Sequence, residues 1–159
     1  MDELTREFLI ESLEALDRME RSITELEERP RDGELLADIF RSVHTIKGTT
    51  GFLGYSRLEL LSHAGENLLG MLRDGELLAN AEIVNALLEL MDGLRAILQS
   101  IEATGDEGQG SDRAIIERLQ ALQQSGSAIA VVERTAGSTR SFPGGAGGEY
   151  LLLQATSIN

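Results

Sequence analysis

The sequence predicts an all-α protein, an antiparallel up-down four-helix bundle with an additional C-terminal fifth helix. Apolar residues recur every three or four positions over long segments, and no period-2 alternation long enough for a strand occurs in the first 125 residues. The chain has only two prolines, and its predicted loops are short. Helices joined by short loops pack as antiparallel neighbours, which favours the bundle.

The first predicted helix is amphipathic, about 25 residues long, and ends before Pro30 and Gly33. Acidic residues and arginines fill the positions between its apolar residues. Its apolar face consists of Leu9, Leu13, Leu16, Met19 or Glu20, Ile23 and Leu26.

The second and third predicted helices are separated only by a turn at Gly54-Tyr55-Ser56. The second runs from about Gly33 to Leu53. In the third, Ser56 is the predicted N-cap, and Glu59 three residues later completes a capping box. The third helix ends at about Arg73, before Asp74-Gly75. The apolar faces consist of Leu36, Ile39 or Phe40, Val43, Ile46 and Leu53 in the second helix, and of Leu58, Leu61, Leu68 and Leu72 in the third.

A fourth helix is predicted from about Asn80 to Ala103, and a short fifth helix follows a linker at Thr104 to Ser111. From Ser125 onward Gly, Ser, Ala and Thr dominate, which is typical of flexible segments. We therefore expect one domain at residues 1–124, followed by a flexible linker or an artificial tail at residues 125–159. The apolar residues of the last two helices are Ile83, Leu87, Leu90, Leu94, Ile97 and Ile101, and Ile115 or Ile116, Leu119 and Leu122.

The composition excludes several classes of function. A net charge of −13 and an isoelectric point near 4.5 argue against nucleic acid and anionic membrane surfaces, which attract basic proteins. The absence of cysteine excludes disulfides, thiolate metal sites and cysteine nucleophiles. No signal peptide and no apolar run long enough to span a bilayer occurs. We expect a soluble cytoplasmic module with no nucleic-acid partner and no membrane insertion.

The segment His44-Thr45-Ile46-Lys47-Gly48 places an imidazole, an ammonium group and a glycine on one side of the second helix. Residues three and four positions apart are neighbours on a helix surface, so Lys47 and Gly48 both border His44. A histidine on the solvent side with a cation beside it and a glycine clearing its approach suits chemistry done on the ring by another macromolecule. Carrying a phosphoryl group is one such reaction.

A simpler interpretation of the same segment stays open at this point. A single histidine on a helix is usually a surface residue, or a core residue whose ring nitrogens have hydrogen-bond partners. Glycine inside a helix costs up to about 1 kcal/mol relative to alanine, so Gly48 and Gly51 together need a reason. Close helix packing, or the end of the helix, would supply one without any function.

His63 and Glu66 form a second candidate cluster, on the polar face of the third helix. Because the second and third helices are antiparallel, positions at equal distances from their turn meet. His44 and Glu66 each lie 11 residues from position 55, about 16 Å along the helix axis. The Glu66 carboxylate is therefore predicted to reach one ring nitrogen of His44, fixing the tautomer and leaving the other nitrogen nucleophilic.

These motifs together resemble the histidine phosphotransfer (HPt) domain at the N-terminus of CheA-type chemotaxis sensor kinases. The resemblance rests on residues 39–48, on the Gly51-Phe52-Leu53-Gly54 segment, and on the blocks at residues 61–69 and 73–76, and it covers roughly residues 1–123. It implies a four-helix bundle with an appended fifth helix. Gly65 and Gly70 depart from the family pattern, since alanine or bulkier residues would be expected to pack better inside the third helix.

The resemblance implies a role for each residue of the candidate site. His44 would be the phosphoryl acceptor and Glu66 would orient its ring. Lys47 would screen the phosphoryl charge, His63 would be a nearby polar neighbour, and Gly48 would leave room for the incoming partner.

The implied partners are the kinase catalytic domain of a CheA-like protein, in cis or in trans, and CheY-like receiver domains of response regulators. No phosphate-binding GxxxxGK[ST] loop and no Asn- and Gly-rich ATP-lid boxes occur in the chain. No cofactor is expected on this domain, and ATP and Mg²⁺ would be required by the partner domains. The expected role is that of a phosphorylated intermediate rather than a self-sufficient kinase.

Two alternatives from other classes remain. His44, His63 and Glu66 could ligate a metal ion, although a di-iron bundle needs paired Glu-x-x-His motifs, and Lys47 would place a positive charge beside the ion. A purely structural or dimerising bundle would explain the amphipathic helices, but it leaves the cluster of histidine, lysine and glycine without a reason.

Overall fold

The computed structural model describes residues 2–125, and within that range all regular structure is helical. It contains α1 (Glu3–Glu28), α2 (Gly33–Leu53), α3 (Ser56–Arg73) and α4 (Ala81–Thr104), followed by α5 over residues 113–125. Each of α1 to α3 packs on the next helix in the chain, and α1 closes the ring by packing on α4. The predicted all-α bundle with a fifth helix is confirmed.

The core lies along the axis of the bundle and is built from the predicted apolar faces. Where the sequence left two candidates open, Met19 is buried rather than Glu20, and Ile39 is buried rather than Phe40. Phe40 is half-buried and packs against the rim of the core. The largest fully buried side chains are Leu16, Met19, Ile23, Leu26, Ile39, Leu58, Leu61, Leu68, Leu69, Leu72, Leu87 and Leu90.

Side-chain caps begin three of the helices. Asp2 accepts a hydrogen bond from the backbone N–H of Thr5, Asp32 accepts from two backbone N–H groups of α2, and Asn80 accepts from Ile83. Such caps satisfy backbone donors that have no partner inside the helix. Gly54, at φ 84°, ends α2 in the left-handed region, where glycine is favoured.

The predicted capping box of α3 is wrong. Ser56 is the first residue of the helix, and Tyr55 occupies the N-cap without a side-chain hydrogen bond. The backbone N–H of Leu58 instead donates to the Glu107 carboxylate at 2.6 Å. A carboxylate from the distant α4–α5 connection thus caps α3 and interacts favourably with the helix dipole, so no local cap is needed.

The α4–α5 connection is also bound to α3 through Arg57. Its Nε lies 2.7 Å from Asp112 Oδ2 and its Nη2 lies 3.0 Å from Oδ1, a bidentate ion pair. A third guanidinium nitrogen donates to the backbone carbonyl of Glu107 at 2.9 Å. The fifth helix then buries Leu119 and Leu122 against the bundle. This end of the bundle is therefore closed by both charged and apolar contacts.

The expectation that larger residues would pack better at both glycines of α3 is wrong for Gly65. A Cβ atom at Gly65 would lie 2.4 Å from the Cδ2 atom of Leu90, so the glycine allows α4 to approach α3 closely. A Cβ atom at Gly70 would lie 3.5 Å from the Phe40 ring, an ordinary contact distance. Only Gly65 is required by packing.

The tail predicted at residues 125–159 lies outside the described residues except for Ser125, the last described residue of α5. The proposed domain boundary at residue 124 therefore stays a prediction. In the described part of the chain, every helix is too short or too polar to cross a bilayer.

Candidate functional site

His44 lies near the middle of α2, on the side that faces away from the core. Val43 and Ile46 are buried in the core, and the part of α2 between them, which carries His44, faces solvent. The His44 side chain is 60% exposed. An imidazole in this position is accessible to a second macromolecule without any rearrangement of the bundle.

Glu66 on α3 meets His44 across the groove between the two helices, as their antiparallel register predicted. The Nδ1 atom of His44 lies 3.1 Å from Glu66 Oε2, and the Glu66 side chain is only 14% exposed. An ionised carboxylate can only accept hydrogen bonds, so Nδ1 must be the donor. The proton on Nδ1 leaves the lone pair on Nε2, the ring nitrogen that a reaction partner can use.

Lys47 binds the same carboxylate. Its Nζ lies 3.1 Å from Oε1 and 3.0 Å from Oε2 of Glu66, and the lysine side chain is 25% exposed. The ammonium group is thus ion-paired with Glu66 while remaining on the border of His44. The lysine and the histidine hold Glu66 from two sides and restrict its rotamer.

The environment lowers the pKa of Glu66 below its usual value of 4.5. Partial burial acts in the opposite direction, since it disfavours a charged carboxylate, but the hydrogen bonds from Lys47 and then from His44 outweigh it. Glu66 is therefore fully ionised at neutral pH. In that state it accepts a hydrogen bond from Nδ1–H and fixes the tautomer of His44.

The other two predicted site residues differ in their surroundings. Gly48 is exposed, and a Cβ atom placed on it would have no neighbouring atom within 4 Å, so the surface one turn beyond His44 is open. His63 is also exposed, and its side chain makes no hydrogen bond or ion pair with any residue of the described range. The structure thus brings His44, Lys47 and Glu66 into direct contact, with Gly48 beside them and His63 outside the hydrogen-bonded group.

Phe40 and Arg73 also lie at the site, and neither was predicted as a site residue from the sequence. The Phe40 ring stacks on the imidazole of His44, with centroids 5.9 Å apart and planes inclined by 12°. The guanidinium of Arg73 lies over the same phenyl ring, with Cζ 4.0 Å from its centroid. The spacing of four between Phe40 and His44 was a usable signal. The Arg73 contact depends on how α2 packs on α3, and no sequence pattern indicates it.

The arrangement is suited to nucleophilic chemistry at a ring nitrogen. It has an oriented imidazole, a carboxylate to balance a positive charge on the ring, and open solvent on the reacting side. Among residues 2–125, no group of three or more His, Cys, Asp or Glu side chains is placed to hold a metal ion.

Comparison with known proteins places this site in a family. The model of the Hpt domain family matches residues 3–97, which is more than half of the chain. The chain is 36% identical over 124 residues to the sensor histidine kinase CheAY of Helicobacter pylori, and 36% identical over 106 residues to the chemotaxis protein CheA of Halobacterium salinarum. These alignments cover 77% and 67% of this chain.

Two solved structures share the fold. The phosphorylated P1 domain of CheA3 from R. sphaeroides, in complex with CheY6, superposes with a TM-score of 0.70 at 34% identity, over 76% of this chain and 95% of that one. The histidine phosphotransfer domain of CheA, determined in solution, also gives a TM-score of 0.70, at 27% identity, over 76% of this chain and 92% of that one.

The match is confined to one part of the larger relatives. The aligned region amounts to 15% of the Helicobacter protein and 16% of the Halobacterium protein. The family model, at residues 3–97, spans the helices that carry His44, Glu66 and Lys47. With the family model, the relatives and the two structures in agreement, this chain belongs to the Hpt domain family.

Proposed function

We propose that His44 accepts a phosphoryl group on its Nε2 atom and passes it to an aspartate of a response-regulator receiver domain. The observation that carries this proposal is the contact between His44 Nδ1 and Glu66, at 3.1 Å, on a side chain that is 60% exposed. One ring nitrogen is occupied by an acceptor, and the other is left for reaction. The phosphorylated P1 domain of CheA3, which was crystallised with CheY6, supports the assignment.

Phosphorylation of His44 and transfer to the aspartate each form one bond to phosphorus and break another. In the first, the Nε2 lone pair attacks the γ-phosphorus of ATP, the Nε2–P bond forms, and the bond to the bridging oxygen breaks with its electron pair leaving on ADP. The ring then carries a positive charge beside the Glu66 carboxylate. In the second, an aspartate oxygen attacks phosphorus, and the electrons of the Nε2–P bond return to the ring.

Glu66 supports both steps by holding the proton on Nδ1 and by balancing the charge of the ring. Lys47 neutralises part of the Glu66 charge and borders the position at which the phosphoryl oxygens would lie. Gly48 leaves the surface beside the ring open. His63 is assigned only the role of a polar neighbour, because it stands outside the hydrogen-bonded group.

The donor in this proposal is the ATP-bound catalytic domain of a CheA-like kinase, in cis or in trans, and the acceptor is a CheY-like receiver domain. ATP and Mg²⁺ belong to those partners. The domain acts as a phosphorylated intermediate in the cytoplasm, where the nucleotide is available. A solely structural bundle gives no reason for Lys47 and His44 to converge on one carboxylate of α3.

The proposal is tested by incubating the full chain with a CheA-type kinase core and ATP, then locating phosphate by mass spectrometry under non-acidic conditions. We expect one phosphate on the peptide that contains His44. His44→Gln should abolish it while leaving the helical content unchanged, because exposed substitutions usually change stability by no more than about 0.5 kcal/mol. His63→Gln is the matched control and should still accept phosphate. Labelling of the His44→Gln protein at His63 would refute the assignment.

A further inference from the structure

The hydrogen bond to Glu66 does not by itself fix the orientation of the His44 ring. It anchors one atom, Nδ1, and the imidazole can still tilt about that contact because its side chain is 60% exposed. The lone pair on Nε2 lies in the plane of the ring, so the tilt of the ring sets the direction of attack. A second contact is needed to define that plane.

Phe40 supplies such a contact. It lies one turn before His44 on α2, and the planes of the two rings are within 12° of parallel, with centroids 5.9 Å apart. Aromatic pairs at this separation favour offset stacking. A ring that stays parallel to Phe40 keeps Nδ1 directed at Glu66 and keeps Nε2 directed away from it.

Phe40 is itself held in place by α3. Its ring is half-buried against the rim of the core. The Cε2 atom of the ring lies 3.5 Å from the position that a Cβ atom would occupy at Gly70 of α3. The guanidinium of Arg73 covers the ring at 4.0 Å from the centroid. A cation over an aromatic face is attracted by the electrons of the ring. The phenyl ring is therefore restrained by the same helix that carries Glu66.

We infer that Phe40, restrained by Arg73, is a positioning residue that sets the plane of the His44 ring for phosphoryl transfer. The inference rests on the proposed function of His44 and adds two residues to its site. Small errors in the alignment of reacting atoms lower a rate substantially, so loss of the stacked ring should be measurable. The π face of Phe40 also favours the positive charge that the ring gains when Nε2 bonds to phosphorus.

The test uses phosphoramidate, a small phosphoryl donor that needs no docking surface. Nε2 attacks its phosphorus, the Nε2–P bond forms and ammonia leaves. With the full chain, Phe40→Leu should slow the labelling of His44 by about two- to tenfold, and Arg73→Gln by about two- to fivefold. Phe40→Tyr keeps the aromatic face and should restore the rate. Nitrogen NMR of the unphosphorylated Phe40→Leu protein should show a smaller fraction of the tautomer with the proton on Nδ1.

Two control variants separate positioning from general stability. Phe8→Leu removes an aromatic ring from the core, and Arg113→Gln removes an exposed cation from α5. Both should leave the rate and the tautomer unchanged. Normal labelling and an unchanged tautomer in a folded Phe40→Leu protein would overturn the inference, as would an equal loss in Phe8→Leu. Absence of phosphate on His44 in the unmodified protein would instead refute the proposed function.

Discussion

The carboxylate of Glu66 is hydrogen-bonded to both His44 and Lys47, and we therefore propose that the chemistry of the site depends on this residue. Its position is dictated by the antiparallel register of α2 and α3, and its charge is maintained by the two donors. The carboxylate fixes the tautomer, while Lys47 limits how far the carboxylate can move. The three side chains thus form one hydrogen-bonded group, and a substitution of any one alters the surroundings of the others.

Replacing Glu66 with glutamine should slow phosphorylation of His44 by the kinase domain at least about tenfold, since orienting and base roles of this kind contribute about 10²–10⁴-fold in rate. Glutamine keeps the shape but can present its amide N–H₂ group to Nδ1. The measurement is the single-turnover rate at several kinase concentrations, which separates chemistry from docking. We expect the rate constant to fall with little change in the apparent affinity. A normal rate with an unmoved tautomer would contradict the role given to Glu66.

The lowered pKa of Glu66 predicts a pH dependence of stability with a defined sign. The pKa in the folded protein lies below the usual 4.5, so the unfolded chain binds the proton more tightly. The stabilisation is fully present above about pH 4.5 and is lost as the pH falls through the folded pKa. Urea unfolding at a series of pH values below about 4.5 should show the advantage of the unmodified protein over Glu66→Gln shrinking as the pH falls. An advantage that grows as the pH falls below about 4.5 would have the wrong sign.

At the scale of the helices, the close approach of α4 to α3 depends in part on Gly65, which has no side chain. Gly65 lies where Leu90 of α4 approaches, whereas Gly48 on α2 faces open space. The two glycines therefore have different reasons for being in a helix. The first permits packing between helices, and the second keeps the surface beside His44 clear.

The two glycines make a matched pair of alanine substitutions. Gly65→Ala gains up to about 1 kcal/mol in helix propensity but overpacks the contact with Leu90 by about 1–3 kcal/mol, so we expect a net loss of stability. Gly48→Ala should raise the free energy of unfolding by about 0.5–1 kcal/mol. If the clear surface serves a partner, Gly48→Ala should also slow transfer from the kinase domain. Chemical unfolding measures the stability of both variants, and labelling kinetics measure the rate of transfer to Gly48→Ala. Equal stability changes in the two variants would contradict the different roles given to Gly65 and Gly48.

At the scale of the whole molecule, the described residues 2–125 contain five helices and the candidate site, and we expect the residues after 125 to be dispensable. The Gly, Ser and Thr content of residues 126–159 leaves few apolar side chains with which to offset the entropy of ordering a segment of that composition. A chain truncated after Gln124 should keep its melting temperature and its rate of phosphorylation. A large loss of either would show that the segment at residues 150–153 contributes to the domain.

Much of this molecule could be predicted because the controlling signals are local. The bounds of α2, Gly33–Leu53, were predicted from helix periodicity and stop signals. The pairing of Glu66 with His44 was predicted by counting residues from the turn between α2 and α3. The failures came from contacts between distant segments. The capping role of Glu107 requires the α4–α5 connection to fold back onto α3, and the Arg73 contact requires the side-by-side packing of α2 and α3. No spacing within a single helix encodes either contact.

We propose that Nε2 of His44 forms the bond to phosphorus while Nδ1 stays hydrogen-bonded to Glu66. The most direct test is nitrogen and phosphorus NMR of the phosphorylated protein, with ¹⁵N in its imidazole rings, because coupling between the two nuclei identifies the bonded nitrogen. We expect phosphate on Nε2 of His44 and a proton on Nδ1. Phosphate on Nδ1 of His44, or on either nitrogen of His63, would contradict it.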